Sequence, residues 1–324
     1  SRISSDILPT NTVLNQTFDY FTKFIRANLN IARQKEFVET PESTKLVNQL
    51  CRALYIIGCI CRYHKSLVDR NVNQIWGPIQ HYFNAPIPKI RSMVLQSVCD
   101  ICVRDASQIP KAKELVNHAF KLGPPENVSA VIFLKNLIEE ETKIEDTTKI
   151  DEIRPTYSAN LIHDFMSEIT KCFSYKDSLV RTAALEFSNT ALRYGAINPP
   201  DIIKYIISML CSKDQSNLAI ETLKIVIYHY SNILNNRMKD GIKEAFYYVN
   251  EMYGQNFTTL PNDDYVFHIG DLLGILPPPQ KALYLNAFTD ILKDAFSAKP
   301  DPFFINWLIR SICCFPFSYV WEPS

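Results

Sequence analysis

The stretch Ala191-Leu-Arg-Tyr-Gly-Ala-Ile-Asn-Pro-Pro-Asp201 separates two apolar helical patterns and decides the fold class. Before it, residues 177–194 carry apolar side chains at steps of one, three or four, which predicts an amphipathic helix. Gly195 follows the last periodic position, where a left-handed C-terminal cap is favoured. Asn198 can cap the next helix, and Pro199 is placed for its first turn. One helix therefore ends, the chain turns within about five residues, and a second helix packs back, which is the unit of an α-solenoid.

A second pattern recurs along the chain: a turn with Pro or Asp, an apolar residue followed by Arg, and then a helix of small and aliphatic residues. It occurs at Pro88-Lys-Ile-Arg91 and Asp177-Ser-Leu-Val-Arg181, and more weakly at Asp214-Gln-Ser-Asn-Leu218. The two arginines are 90 positions apart, close to two periods of the ~40–47 residues typical of HEAT repeats. The spacing predicts about five to seven helix pairs in one curved array.

The composition favours the same class. The chain has 324 residues, 47% of them hydrophobic, which is enough for a large core. Glycine occurs only 8 times, far below the usual ~7%, as expected of long helices joined by short turns. Most prolines cluster at the predicted breaks between helices. We therefore expect an all-α protein.

The positions of proline, glycine and capping residues also predict where individual helices and segments begin and end. Helices are expected over 12–37, after the start signal Thr40-Pro41-Glu42, over 72–83 with a kink at Gly77-Pro78, and over 110–122 and 128–141. The predicted organisation is a leading helix (1–42), HEAT repeats with a basic excess (43–138), an acidic flexible loop (139–157), HEAT repeats around the junction (158–255) and C-terminal helical repeats (256–324).

No residue pattern points to catalysis, a cofactor or a metal. Nine cysteines lie in apolar helical sequence, and their scatter favours reduced thiols in the cytosol or nucleus. Cys99 and Cys102 have CxxC spacing, but one helical turn places both on the apolar face, so core packing is favoured over redox or zinc chemistry. No phosphate-binding glycine loop or paired-histidine motif occurs. We expect a protein that is not an enzyme.

The chain shows neither a membrane-spanning apolar run of ~20 residues nor a signal peptide. It starts at Ser1 without Met and ends at Glu322-Pro-Ser within apparent structure. These features suggest a fragment of a longer protein without a membrane association.

The uneven distribution of charge along the chain is the one physical property of the sequence that suggests a function. The net charge is zero, yet residues 43–125 contain eleven Lys and Arg against four acids, and residues 126–152 contain three Lys against eight acids. If successive turns line one edge, the basic residues that flank turns would form a stripe that attracts a phosphate backbone without reading sequence. An ordinary solvated edge is the alternative. The candidate residues for contact with DNA or a protein partner are Lys65, Arg70, Lys89, Lys111, Lys113 and Lys121. Arg52, Arg91 and Arg181 lie beside core positions and are expected to pair with acids or helix ends.

Several segments, taken in order, resemble the C-terminal region of the Nipped-B/adherin family, the large subunit of the cohesin loader. They are Leu50–Tyr63, Val180–Leu185, Leu192–Pro199, Lys239–Tyr248, Ala282–Phe288 and Ile312–Phe317. The resemblance spans about residues 45–320 and departs at Pro200, Tyr205 and the 139–152 segment, as a divergent fungal-type sequence would.

The resemblance implies a hook-shaped, right-handed HEAT solenoid of antiparallel helix pairs, located on chromatin in the nucleus. It implies that the loader engages the SMC and kleisin subunits of cohesin and double-stranded DNA, stimulates the cohesin ATPase and promotes loading for sister chromatid cohesion. It also implies a small loader subunit bound through an N-terminal region that this chain lacks. A HEAT adaptor for protein cargo, or a phosphatase scaffold, without a nucleic-acid role is the alternative.

Overall fold

The computed structural model describes the backbone of residues 7–34, 36–145, 157–297 and 301–315, and nearly all of their side chains; those of 7–11, 65–71, 143–145, 157–158 and 297 lie outside the described set. Within these ranges the chain is helical and has no strand. The all-α solenoid expected from the sequence is confirmed. The chain divides into two compact units, Ser1–Leu161 and Ile162–Ser324.

The first unit consists of successive helices in two layers. They are α1 (Ile7–Ala27), a 3₁₀ turn (Leu29–Arg33), α2 (Pro41–Tyr63), α3 (Lys65–Tyr82), α4 (Pro88–Arg104), a 3₁₀ turn (Ala106–Gln108), α5 (Ile109–Leu122) and α6 (Glu126–Glu145). Helix α4 packs on both α2 and α6, and these three form one layer. Helices α1, α3 and α5 form the second layer and pack against α2, α4 and α6, respectively.

The second unit continues the pattern with less regular helices. They are α7 (Tyr157–Cys172), α8 (Ser178–Arg193), a 3₁₀ turn (Pro199–Asp201), α9 (Ile203–Ser208), a 3₁₀ turn (Met209–Cys211), α10 (Ser216–Tyr253), 3₁₀ segments (Gly254–Thr259 and Tyr265–Gly274), α11 (Pro278–Ser297) and α12 (Pro302–Cys313). Helix α10 bends at Tyr230, whose φ of −134° is not helical. The Tyr230 hydroxyl donates to the Leu192 carbonyl at 3.0 Å and so ties the bend to the end of α8.

Close approach of α2 and α4 depends on a small residue on each helix. A Cβ added to Gly58 would lie 3.0 Å from the Ser97 Cα and 2.8 Å from Oδ2 of Asp100. The fully buried Ser97 hydroxyl donates across the same contact to the Leu54 carbonyl at 2.8 Å. The same hydroxyl lies 2.9 Å from the Met93 carbonyl of its own helix, so the contact with Leu54 fits this register of the two helices without being the only acceptor available to Ser97.

The helix start predicted at Thr40-Pro41-Glu42 is confirmed. Thr40 accepts a hydrogen bond from the Ser43 backbone N–H at 3.1 Å, and Ser43 accepts one from the Thr40 N–H at 2.8 Å. This reciprocal capping box, with Pro41 at the first helical position, satisfies donors that a helix start leaves unpaired.

At the junction after α8, the backbone forms a left-handed cap. Gly195 has a φ of +67°. The Ala196 N–H donates to the Ala191 carbonyl at 2.8 Å and the Gly195 N–H to the Leu192 carbonyl at 3.3 Å, which is the pair of bonds of a Schellman motif. Glycine adopts this conformation without a steric penalty, because it has no Cβ.

The residues after the cap differ from the expectation. Pro199 opens a 3₁₀ turn, and the Asn198 side chain makes no capping bond; its Nδ2 donates to Oδ2 of Asp201 at 3.1 Å. The second helix expected after Asp201 is α9, a short α-helix that tightens into a 3₁₀ turn, so the helical segment runs from Ile203 to Cys211. Its apolar side chains are buried, so the expected apolar helix is confirmed, with its last turn in the 3₁₀ form.

Three further boundaries are corrected. The first helix ends at Ala27, ten residues before the predicted end, and Asn28 bonds back to the Phe24 carbonyl. Helix α3 starts at Lys65 and runs continuously through Pro78. The acidic segment expected to be a loop from residue 139 is helical as far as Glu145, because α6 continues past its apolar face and Glu140 pairs with Arg62 of α2. The rest of that predicted loop, 146–156, lies outside the described residues.

Candidate partner-binding surfaces

The predicted basic residues with described side chains fall on two separate surfaces. Lys111, Lys113 and Lys121 are exposed on α5. Lys111 and Lys113 lie in its first turns and Lys121 in its last, about 15 Å further along the axis. Lys89 is exposed on α4, in the other layer, and donates to Oδ1 of Asn48 on α2 at 2.9 Å. The four lysines therefore do not line one row of turns.

Each α5 lysine has its own surroundings. The Lys111 ammonium donates to Oε1 of Gln108 at 3.0 Å and lies 5.7 Å from the ring centre of Trp76 on α3. At 100° per residue, Lys113 projects from the opposite flank of the helix and Lys121 from between the two. Glu114 is exposed on the same side of α5 and offsets part of their charge. Lys65 and Arg70 lie in the first two turns of α3, and their side chains lie outside the described residues.

Two arginines tie successive repeats together in the same way. Arg91 donates to the Ala85 carbonyl, six residues back, and to Oε1 of Glu126, 35 residues ahead. Arg181 donates to the Tyr175 carbonyl, also six residues back, and to Oε1 of Gln215, 34 residues ahead. In both cases the acceptor ahead lies at the start of a following helix.

The expectation that such arginines pair within the array is confirmed for Arg91 and Arg181. It is wrong for Arg52, which is exposed and forms no ion pair with the described residues. Gln215, which also bonds Ser178, Ser212 and Thr182, is not among the residues predicted from the sequence. Each arginine bonds a residue about one repeat further along the chain, and a search for polar residues at that spacing could have identified Gln215.

A buried charge network crosses the layer of α2, α4 and α6. Arg62 Nη1 lies 3.1 Å from Oδ1 of Asp100, and its Nη2 pairs with Glu140. The side chain of Asp100 is 3% exposed. Burial raises the pKa of Asp100, and the charge and hydrogen bond of Arg62 oppose that shift. The three residues are spaced by 38 and 40 positions, so each occupies the same place in a successive repeat.

The cysteines occupy packing positions for the most part. Cys99 and Cys102 are both 2% exposed within α4, and burial raises the pKa of each thiol. Cys313 is exposed, and Cys59 and Cys314 are partly exposed. Among the described residues, no group of three or more His, Cys, Asp or Glu side chains could hold a metal ion. None of the described helices is both long enough and apolar enough to span a bilayer.

Comparisons with known proteins agree with the resemblance seen in the sequence. Residues 158–324 match the family described as "Sister chromatid cohesion C-terminus". The chain is 21% identical over 262 residues to the Nipped-B protein of Drosophila melanogaster, an alignment that covers 70% of this chain and 13% of that protein. The chain thus spans about an eighth of the length of this relative.

The solved structure of the Chaetomium thermophilum cohesin loader SCC2, C-terminal fragment, is similar in fold. The TM-score is 0.67 and the sequence identity 15%, with 94% of this chain and 24% of that chain covered. At this identity the likeness concerns the fold alone. One relative is from an animal and one from a fungus, so the fungal type of this sequence stays a prediction.

Proposed function

The chain belongs to the sister chromatid cohesion C-terminus family, and on that premise we propose that it is the C-terminal HEAT-repeat part of a cohesin loader. The observation that carries the proposal is the family match, which covers the second unit from α7 to the end of the chain. The whole loader acts on chromatin in the nucleus, binds the SMC and kleisin subunits of cohesin, and stimulates their ATPase. Its small partner subunit binds a region outside this chain.

The part that this chain plays is to hold its partners rather than to react with them. Stacked helices linked by buried bonds between successive repeats, such as Arg181 to Gln215, present side chains on a stiff scaffold. A stiff surface loses little conformational entropy when a partner binds, and so favours one arrangement of the bound components. No catalytic residue is needed for this role, and we propose that the chain is not an enzyme.

We place the DNA contact of this chain on α5. Lys111, Lys113 and Lys121 are exposed on α5, over about 15 Å of the helix axis, a length that matches about four phosphate spacings of one strand of duplex DNA. Lysine contacts to phosphate are independent of base sequence, which suits a protein that loads cohesin at many sites. Lys89 lies in the other layer and is left out of this contact.

The test is DNA binding of the full chain as a function of salt concentration. The variant Lys111→Glu/Lys113→Glu/Lys121→Glu should bind duplex DNA more weakly, with a salt slope smaller by about one for each phosphate that is no longer neutralised. The matched control is Lys89→Glu, which changes an exposed lysine of the other layer and should leave the slope unchanged. An unchanged affinity and slope in the α5 variant would overturn the DNA contact.

Cohesin binding is tested separately. The full chain should retain purified cohesin on beads, and the full loader carrying the α5 variant should stimulate the cohesin ATPase less when DNA is present. A chain that retains a phosphatase catalytic subunit or transport cargo, and no cohesin, would establish the adaptor function instead.

A further inference from the structure

Helix α2 presents a row of basic and aromatic side chains to solvent. Lys45, Asn48, Arg52, Tyr55, Cys59 and Tyr63 follow one another at steps of three or four, so they share one face, which is called the α2 face below. Tyr55 is 52% exposed and Tyr63 67% exposed, and Lys45 and Arg52 are exposed as well. Exposed tyrosine and arginine are enriched at protein interfaces.

The charge of the α2 face is positive. Lys89 of α4 reaches over to Asn48 and adds its charge to those of Lys45 and Arg52. Glu42, the exposed acid in the first turn of α2, lies three residues before Lys45 and offsets part of the charge at that end of the face. The net charge of the face stays positive through Arg52 and Lys89. On α4, Asp100 is buried against Arg62.

Asp105, the other acid near the C-terminal end of α4, also accepts hydrogen bonds from neighbouring residues. Asp105 accepts hydrogen bonds from the Ser107 hydroxyl at 2.5 Å and from Nε2 of Gln108 at 2.9 Å. Neither it nor Asp100 is therefore turned toward the basic side chains of the α2 face.

From the charge and the aromatic content we propose that the α2 face docks an acidic peptide segment of a partner protein. Its carboxylates would pair with Arg52, Lys45 and Lys89, and an aromatic or aliphatic side chain would lie on Tyr55 and Tyr63. From Lys45 to Tyr63 the face is about 27 Å long, which is the reach of about eight residues of extended chain. The face contains none of the α5 lysines, so the proposal is independent of the DNA contact on α5.

The two tyrosines favour a peptide over a nucleic acid. Duplex DNA presents phosphates on its outside and offers an exposed tyrosine ring little to pack against. Single strands stack their bases on open aromatic faces. Here the Arg62 guanidinium lies over the ring of Tyr63, 5.8 Å from the ring centre. Both rings are exposed at the helix surface, where they offer an apolar contact to a side chain of a bound peptide.

The test is a selection from a phage-displayed library of random peptides about twelve residues long, performed on the full chain. Selected peptides should be enriched in Asp and Glu together with an aromatic or aliphatic residue. They should bind Arg52→Glu/Tyr55→Ala about tenfold or more weakly than the unchanged chain. Arg52→Lys should keep most of the affinity, since it keeps the charge. Both positions are exposed, and circular dichroism should show unchanged helix content in every variant.

The matched control is Lys111→Glu/Lys121→Glu, which reverses two exposed charges on α5. It should leave peptide binding within about twofold of the unchanged chain. Peptides that bind the control and the α2 variant equally well, or a selection with no peptide that depends on Arg52 and Tyr55, would overturn the proposal. So would an oligodeoxythymidine of about 20 nucleotides that binds the unchanged chain and not the α2 variant, since the face would then be a nucleic-acid site.

Discussion

Arg181 and Gln215 join two helices that start 38 residues apart: Nε of the arginine donates to Oε1 of the glutamine at 3.1 Å. The same guanidinium donates to the carbonyls of Tyr175 and Lys176 at 2.6 and 2.9 Å. Arg181 is only 7% exposed and Gln215 is fully buried. One side chain thus donates hydrogen bonds both to the carbonyl oxygens of a turn and to the residue that starts the next repeat.

Replacing Arg181 by Lys should therefore destabilise the chain although the charge is kept. An ammonium cannot span the turn carbonyls and Gln215 at once. The turn carbonyls of Tyr175 and Lys176 or the bond to Gln215 then lose their donor, at a cost of about 1–3 kcal/mol in the free energy of unfolding. Urea denaturation followed by circular dichroism measures this. The control Arg193→Lys, at an exposed position of the same helix, should change stability by less than about 0.5 kcal/mol. Equal effects of the two substitutions would contradict the proposed role of Arg181.

Replacing Arg62 by Met should destabilise the first unit, because it leaves the buried Asp100 carboxylate without its cation. Removal of one partner of a buried pair costs about 3 kcal/mol. Arg62→Met/Asp100→Asn should recover part of that loss, because the buried charge is then gone as well.

The effect of Arg62→Met should also depend on pH. Burial already raises the pKa of Asp100, and loss of the opposing arginine raises it further. A carboxyl group with a raised pKa in the folded state binds its proton more tightly there than in the unfolded chain. Its contribution favours folding below the unfolded pKa and is lost as the pH rises through the folded pKa. The stability difference between Arg62→Met and the unchanged chain should thus shrink as the pH falls from 7 toward 4. A difference that stays constant over that range would show that Asp100 is not the group responsible.

Two glycines should resist substitution for different reasons. At Gly195 the positive φ is the constraint, because no heavy atom lies within 4 Å of a built Cβ. Gly195→Val should cost about 1–2 kcal/mol through backbone strain and lower the melting temperature, whereas Gly195→Asn should cost less. An unchanged melting temperature of Gly195→Val would refute the left-handed cap.

At Gly58 space is the constraint, because the added Cβ would meet Ser97 and Asp100. Gly58→Ala should cost about 1–3 kcal/mol by overpacking the α2–α4 contact. Gly274, the last residue of the second 3₁₀ segment, has neither constraint, and Gly274→Ala should be neutral or stabilising by up to about 1 kcal/mol. The three melting temperatures, measured side by side, separate the two mechanisms.

The cysteines should react with a thiol reagent in two classes. Cys313 is exposed and should be modified first, followed by the partly exposed Cys59 and Cys314. Burial raises the pKa of the Cys61 and Cys172 thiols to about 12, so these are protonated and shielded at neutral pH.

Mass spectrometry after a short treatment of the native chain should locate the label at the exposed and partly exposed sites, and treatment in urea should label all nine cysteines. Rapid native labelling of Cys99 or Cys102 would show that the α2–α4–α6 layer opens.

Local sequence signals predicted the start of α2, the span of α5 and the positive φ of Gly195. Each depends on residues a few positions apart: Thr40 with Ser43, or Gly195 with the carbonyls of Ala191 and Leu192. The helix ends that were wrong, at Ala27 and after Glu139, depend on contacts that such signals do not contain. Glu140 is helical where it meets Arg62, 78 positions earlier in the chain.

The same limit applies to the predictions about surface residues. The sequence alone located the excess of basic residues in 43–125 and the resemblance to a cohesin loader. It could not separate Lys89, which faces α2, from the lysines on α5, because both flank turns. Nor could it distinguish the paired Arg62 from the exposed Arg52, although both lie on one helix.

The sequence by itself thus determined most of the helices, the caps at Thr40 and Gly195 and the class of fold, because capping bonds and apolar periodicity act within a turn or two of the chain. Tertiary structure alone decided which charges are neutralised, which cysteines are accessible and which side chains share a surface. Those properties depend on residues 34–40 positions apart that meet only when successive repeats stack.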